Sequence, residues 1–543
     1  MYDYVIVGGG SAGCVLANRL SADPDVRVCL LEAGKPDKSL FIHMPAGVAA
    51  ILPTKHVNWA FDTEPQPGLN NRLGYQPRGK TLGGSSSINA MIYMRGHRVD
   101  YDHWAALGNP GWSYDDVLPY FKRSENQERG GDDYHGVGGP LNVADLRSPN
   151  PIDETFLEAG QSAGYPHNPD FNGRDQEGVG LYQVTQKDGR RWSAAKAFLE
   201  PVMDRPNLTV FTEAQVTRVL FEGRRAVGVA YSQNGREFEA RAEREVVLCA
   251  GALQTPQVLK LSGVGPAGEL ERHGIPVVHD LPGVGENLHD HIDYVACYKS
   301  KSTDLFGLSL TGGIRLMKAI GEYRRQHTGM LTTNFAEAGG FLKADASSEA
   351  PDFQLHFVVG IVDDHSRKMH LGHGYSCHVC LLRPRSRGSV RLRDADWRSH
   401  PRIDPNFLGD DQDAQDMVHG FKLMREILEA PAFAKYAGRD MYTAGVRTDR
   451  EIAEAIRQRA DTVYHPVGSC KMGQDEMAVV DGELRVRGLE GLRVVDASIM
   501  PTVMGGNTNA PTIMIGEKAA DMMLGRSAVA ETAGAAAAVT ETA

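Results

Sequence analysis

The stretch TVYHPVGSCKMG, residues 462 to 473, carries three side chains capable of chemistry, His465, Cys470 and Met472. All three can bind a metal, histidine is the usual general base, and cysteine can act as a nucleophile. Ser469 and Cys470 lack a partner acid or base pattern and a nucleophile elbow. His465 has an ordinary pKa near ~6.5, so it is largely neutral at pH 7 and able to take a proton. Pro466 disfavours helix at residue 465 and places it on extended or loop chain, where functional side chains often sit. Downstream, Asn509 in GGNTNAPT offers an amide that can accept from a hydroxyl and donate to an alkoxide. It is also suited to capping the helix that follows.

A second set of residues points to a nucleotide. Gly8, Gly10 and Gly13 form G-x-G-x-x-G directly after the strand YDYVIVGG and at the start of the helix GSAGCVLANRLSAD. Glycines there allow a tight turn and close approach to a pyrophosphate, with the helix N-terminus facing the phosphates. Glu32 ends the next strand, VRVCLLEAG, about 20 residues on, where an acid hydrogen-bonds a ribose hydroxyl and repels a 2′-phosphate. NAD and FAD both fit this unit.

Two further clusters are weaker. Cys377 and Cys380 have CxxC spacing, but YSCHVCLLRP reads as a strand, where i and i+3 face opposite sides. No second pair follows to complete four converging zinc ligands. His289, Asp290 and His291 are adjacent, which disfavours convergence on one ion, and they read as structural. No metal is expected.

The elements that must position these residues lie far apart. VVLCAGALQTPQVLKLSGVG (246–265) repeats the strand, Gly turn and helix. LRVVDASIM (492–500) is a third buried strand, and APTIMIGEKAADMML (510–524) a closing helix. Asp496 and Ala497 end that strand, where a doubly wound sheet holds its ligand. Alternating segments such as PDFQLHFVVG and SRGSVRLRD suggest an antiparallel sheet in a second domain.

Composition bounds the rest. With 543 residues, 41% hydrophobic and 23% charged, the chain is an ordinary globular one. A net charge of −11 with scattered arginines argues against nucleic-acid binding. No apolar run approaches the roughly 20 residues that span a bilayer. MYDYVIVGGG lacks a basic n-region. The seven scattered cysteines read as free thiols in a reducing compartment. A cytoplasmic protein is expected, with peripheral contact at the inner membrane left open.

GKTLGGSSSINAMIYMRGHRVDYD (79–102) and GALQTPQVLKLSGVG (251–265) decide the cofactor by resemblance. They match both signatures of the glucose-methanol-choline (GMC) oxidoreductases, and the likeness runs to about residue 526 through PGVGENLHDH, YHPVGSCKMG and GNTNAPT. Within that family the chain looks most like bacterial FAD-dependent alcohol dehydrogenases, and is similar to choline dehydrogenase. The resemblance implies FAD, held by Gly8, Gly10, Ser11, Ala12, Gly13, Glu32 and Ala33. Leu82, Gly83, Gly84, Asn89, Ala90, Met91 and Ile92 would press on its pyrophosphate and ring. Val216, Ala250, Asp496, Ala497, Thr508 and Thr512 would complete the site. It also implies His465 and Asn509 as the catalytic pair. Ile88 stands where some members attach the flavin through histidine, so dissociable FAD is expected.

The implied fold is α/β. A discontinuous Rossmann-like FAD-binding domain (1–150, 206–299 and 461–526) joins an α+β substrate domain on an antiparallel sheet (151–205 and 300–460), with a disordered tail at 527–543. The implied reaction takes a primary alcohol to an aldehyde by proton abstraction and hydride transfer to flavin N5, electrons passing to a quinone or other carrier. An oxygen-using oxidase, choline dehydrogenase and a non-redox hydroxynitrile lyase are the alternatives. Oligomeric state is not legible.

Overall fold

The computed structural model describes residues 1–526, and the expected frayed tail at 527–543 lies outside the described residues. Tyr2–Val7 and Val28–Leu31 are apolar runs buried almost throughout. Strands covered on both faces read this way, and they pair in parallel. Leu208–Phe211 extends this sheet on one side in parallel. The C-terminal half of Arg236–Leu248 and then Leu492–Val494 extend it on the other, again in parallel. The first half of Arg236–Leu248 runs out of this layer to pair antiparallel with Arg225–Gln233, which in turn pairs with Ala214–Glu222.

The first helix, Ser11–Leu20, and the last, Asn509–Leu524, pack side by side over this sheet. Chain ends some 500 residues apart in sequence are thereby brought to one place, which is why the nucleotide unit is discontinuous. Gly13 makes the helix–strand approach possible. A Cβ there would sit 1.9 Å from the Gly8 carbonyl oxygen.

The second sheet is antiparallel. Its strands run in the order Arg439–Asp440, Ile292–Ser300, Gly372–Leu381, Phe353–Val358, Ala336–Leu342, Gly178–Leu181. Helices Pro151–Ser162 and Asp411–Leu428 pack on it around Phe156, Phe357 and Phe421. Two details differ from the sequence reading. Ile292–Ser300, assigned to the nucleotide side of a boundary at 299, hydrogen-bonds into this sheet. Ser389–Arg391, read as a strand of it, pairs only with Arg402–Asp404. Periodicity reports that a segment is a strand; which neighbour it meets is set by tertiary packing.

Because the Gly8 carbonyl leaves no room at residue 13, Gly13→Ala should cost about 2 kcal/mol or more. Thermal unfolding of the purified variant reads this directly, and an unchanged Tm would contradict the packing described.

Candidate active site

One cavity of about 1380 Å³ runs between the two sheets. Ordinary small-molecule pockets are roughly 300–1,000 Å³, so this one has room for a dinucleotide and a substrate together. Every residue selected above as cofactor-binding or catalytic lines it, except Gly13, Leu82 and Gly83, which stand behind its wall.

The dinucleotide end is built from backbone. Gly10 and Thr508 are the N-cap residues of the first and last helices, and neither supplies a side-chain cap. Ser11 Oγ donates to Asn509 Oδ1 at 2.7 Å and ties the two first turns together. Two sets of orphan N–H groups and two positive dipole ends thus meet on one cavity, which suits a pyrophosphate. Gly84, with φ of +53°, brings the 83–84 chain against Gly10, whose Cα would lie 2.8 Å from a Cβ at 84. Glu32 accepts from Gly9 N (2.9 Å) and Gly34 N (2.7 Å) at the end of its strand. Burial pushes its carboxyl up to about 7, and these N–H groups and Lys80 oppose that rise. Asp496 accepts from Gly251 N, Thr255 Oγ1 and Ser498 N, so its carboxylate also locks a strand end to the helix Gly251–Leu261.

The loop bearing Asn89 is held from behind. Asn89 Oδ1 accepts from Met91 N (3.0 Å) and Arg191 Nη1 (2.7 Å). Met91 itself adopts φ of +60°, a conformation that side chains other than glycine rarely take. Arg191 is buried, has no carboxylate partner among the described residues, and also donates to the carbonyls of Ile42 and Ser86. Burial pulls its guanidinium down to about 9. These features fit FAD: Asn89, Ala90 and Met91 would border its redox ring, and the uncapped helix starts would hold its pyrophosphate.

His465 sits where this cradle meets an apolar chamber formed by Phe335, Ala336, Val358, Ile361 and Val463. Its backbone is set by strain and by an acid. Tyr464 has φ of +77°, its carbonyl accepts from Arg78 Nη2 (2.7 Å), and His465 N donates to Asp290 Oδ1 (2.8 Å). The ring is set by a chain of four groups. His291 Nε2 is 3.0 Å from the Leu382 carbonyl, which can only accept, so that nitrogen carries the proton. His291 Nδ1 is then bare and accepts from His465 Nδ1–H at 2.9 Å. This leaves His465 Nε2 with its lone pair, facing Asn507 Nδ2 at 3.1 Å. Gln354 Nε2 donates to Asn507 Oδ1 (3.1 Å) and so turns the amide's NH2 toward His465. Burial, then His291, His356 and Arg78, hold His465 well below its ordinary value. Burial likewise pulls His291 down to about 4.

Asn509, paired with His465 in the sequence reading, is instead on Ser11; the amide on His465 is Asn507, two residues earlier. The difference is one of direction. Residue 509 is already the first of the last helix and turns into the dinucleotide cradle, while 507 is still on the extended approach. Sequence reasoning also passed over Asp290 and His291, which it took as structural. Their signal was the alternation in HDH beside a buried strand, and it needed His465 as a known neighbour to be read. Arg191 gave no signal, because an arginine in sequence is most often exposed and nothing sets it apart from its neighbour Arg190.

Comparison with known proteins gives the family. Residues 2–293 and 384–516 match the N- and C-terminal parts of GMC oxidoreductase. An alcohol dehydrogenase [acceptor] of Pseudomonas putida is 51% identical over 96% of both chains. Oxygen-dependent choline dehydrogenase 1 of Chromohalobacter salexigens is 46% identical, covering 97% of this chain and 95% of its own. Among solved structures, pyridoxine 4-oxidase from Mesorbium loti superposes with a TM-score of 0.87 at 32% identity, covering 97% of this chain and all of its own.

The depressed histidines make a prediction independent of turnover. A ring whose charged form is disfavoured by burial stays neutral as pH falls through ~6.5 and takes its proton only at lower pH. Imidazole nitrogen shifts of His465 and His291 followed by NMR should therefore show no titration at pH 6.5; a midpoint there would contradict the burial described.

Proposed function

The chain belongs to the GMC oxidoreductase family, an FAD-dependent family acting on CH–OH donors, and we propose that it oxidises an uncharged primary alcohol to the aldehyde. His465 is the base and Asn507 the partner amide in this reading. Bound FAD supplies the hydride acceptor. The residues do the rest. A substrate hydroxyl that takes the place of the Asn507 Nδ2–His465 Nε2 hydrogen bond gives its proton to the unprotonated nitrogen. It then receives the amide N–H as negative charge develops on its oxygen, a contact stronger in the transition state than before it. The base is ready at neutral pH because burial keeps it uncharged. The chamber walls exclude water from that exchange.

The observation that carries this reading is the bare Nε2 of His465, faced by an oriented amide where the cofactor cradle opens into an apolar chamber. The chamber also favours an uncharged substrate. The carboxylates lining the cavity, Glu32 and Asp496, are at the dinucleotide end, whereas the other charged residues lining it are cations: Arg78 beside Tyr464, and Arg315 and Lys368. Choline is the second reading, favoured by the choline dehydrogenase relative and by Phe306, Phe335 and Tyr464, whose rings offer cation–π contacts. The acceptor is a quinone or another carrier, with oxygen as the alternative. Comparing turnover on a dye acceptor with turnover on oxygen separates them.

Variants divide the roles. His465→Ala should lower kcat by roughly 10²–10⁴, and Asn507→Ala by roughly 10²–10³, each with FAD retained. Asn509→Ala should instead retain kcat to within roughly ten-fold while losing FAD more readily, since it removes a tie to Ser11 rather than a transition-state contact. A larger kcat loss from Asn509→Ala than from Asn507→Ala would overturn the assignment. Acid denaturation should release the flavin into the supernatant, because Ile88 offers no atom for a covalent bond; yellow precipitate would contradict this.

A further inference from the structure

The described residues expose eighteen large apolar side chains, and ten of these crowd one rim of the molecule, around the mouth of the substrate chamber. The most exposed are Leu310 (86%), Leu371 (79%), Met369 (71%) and Met317 (68%). A contiguous apolar surface around a cavity mouth is unusual for a face meant to stay in water.

The helix Leu310–Gln326 explains how the rim is organised. At about 100° per residue, its faces separate cleanly. Ala319 and Tyr323 are buried against the body, and Leu316 and Ile320 border the cavity. Leu310, Ile314 and Met317 form a stripe pointing outward. Arg324 flanks that stripe on one side, and Arg325 and Lys318 flank it on the other. The helix carries four cations against one acid, Glu322, in a chain whose net charge is −11. An outward apolar stripe bordered by cations suits a helix lying in the interface of an anionic bilayer. Glutamates or unbroken apolar residues would be expected instead for a solvated face or a buried one. No helix among the described residues is long and apolar enough to cross a membrane, so the contact is peripheral.

We propose that this rim, led by the helix Leu310–Gln326, docks on an anionic lipid surface and sets the chamber mouth against the hydrocarbon. An apolar alcohol dissolved in the bilayer would then reach His465 without crossing water. The docking rests on the surface alone and stands or falls separately from the chemistry proposed above.

The test uses the full-length FAD-loaded protein and sedimentation with phosphatidylcholine vesicles, with and without phosphatidylglycerol. The wild type should co-sediment with the mixed vesicles. Ile314→Glu with Met317→Glu changes two outward side chains that do not line the cavity, and should lower the bound-to-free ratio by roughly ten-fold or more. Turnover of a short water-soluble alcohol should be unchanged, which shows that the variant is folded. A second variant, Arg324→Gln with Arg325→Gln, should lower binding to the mixed vesicles only. Wild-type protein that stays in the supernatant, or a glutamate variant that sediments as well as the wild type, would overturn the proposal. So would gel filtration showing a wild-type dimer that the glutamate variant splits, since the stripe would then cover a second copy.

Discussion

A carbonyl oxygen has no proton to give, and the catalytic geometry depends on that fact at Leu382. Because the carbonyl can only accept, His291 must present a proton to it and a lone pair to His465. His465 must then present its own lone pair to the cavity. One backbone group, at the end of the interior strand Gly372–Leu381 of the antiparallel sheet, therefore sets the protonation state of a nitrogen two rings away. Burial enforces the same state: at His291 it outweighs the Asp100 carboxylate, and at His465 the charges of His291, His356 and Arg78 act in the same direction as burial. The site resembles a His–Asp arrangement with the acid removed: orientation is kept, but the stabilisation of a charged ring is not.

The two sheets have different tasks around this relay. The parallel layer supplies strand ends and uncapped helix starts, which are sources of N–H groups and positive dipole for a dinucleotide. The antiparallel layer supplies side chains, with His356 and His378 directly opposite each other on neighbouring strands and Val358 beside them facing the chamber. His465 lies between these layers on strained chain. The left-handed residues Tyr464 and Met91 occur on the two sides of the place where cofactor and substrate must meet. Strain of this kind costs on the order of 1–3 kcal/mol per residue and persists where the surrounding packing over-determines it. Here the half-buried Arg78 and the buried Arg191 hold the strained segments through carbonyls and an amide.

Much of this was legible in the sequence. G-x-G-x-x-G between a strand and a helix, with an acid closing the next strand, can be read because each residue acts locally on its own backbone. His465 could be read from its loop and from family resemblance. What could not be read was contact between distant segments. GNTN contains two asparagines, and only the register of the last helix decides that 507 faces the base while 509 faces Ser11. HDH carries no mark of its role until Thr462 to His465 are laid beside it. The strand Ile292–Ser300 was placed on the wrong side of a boundary for the same reason: its partner, Gly372–Leu381, is some 80 residues away.

The central claim is that the reacting hydroxyl is shared by His465 and Asn507. A crystal structure of the FAD-loaded enzyme with a bound, unreactive alcohol analogue tests it most directly. The account predicts the hydroxyl oxygen within about 2.6–3.2 Å of both His465 Nε2 and Asn507 Nδ2. A hydroxyl bound instead to Asn509, or out of reach of His465 Nε2, would contradict it.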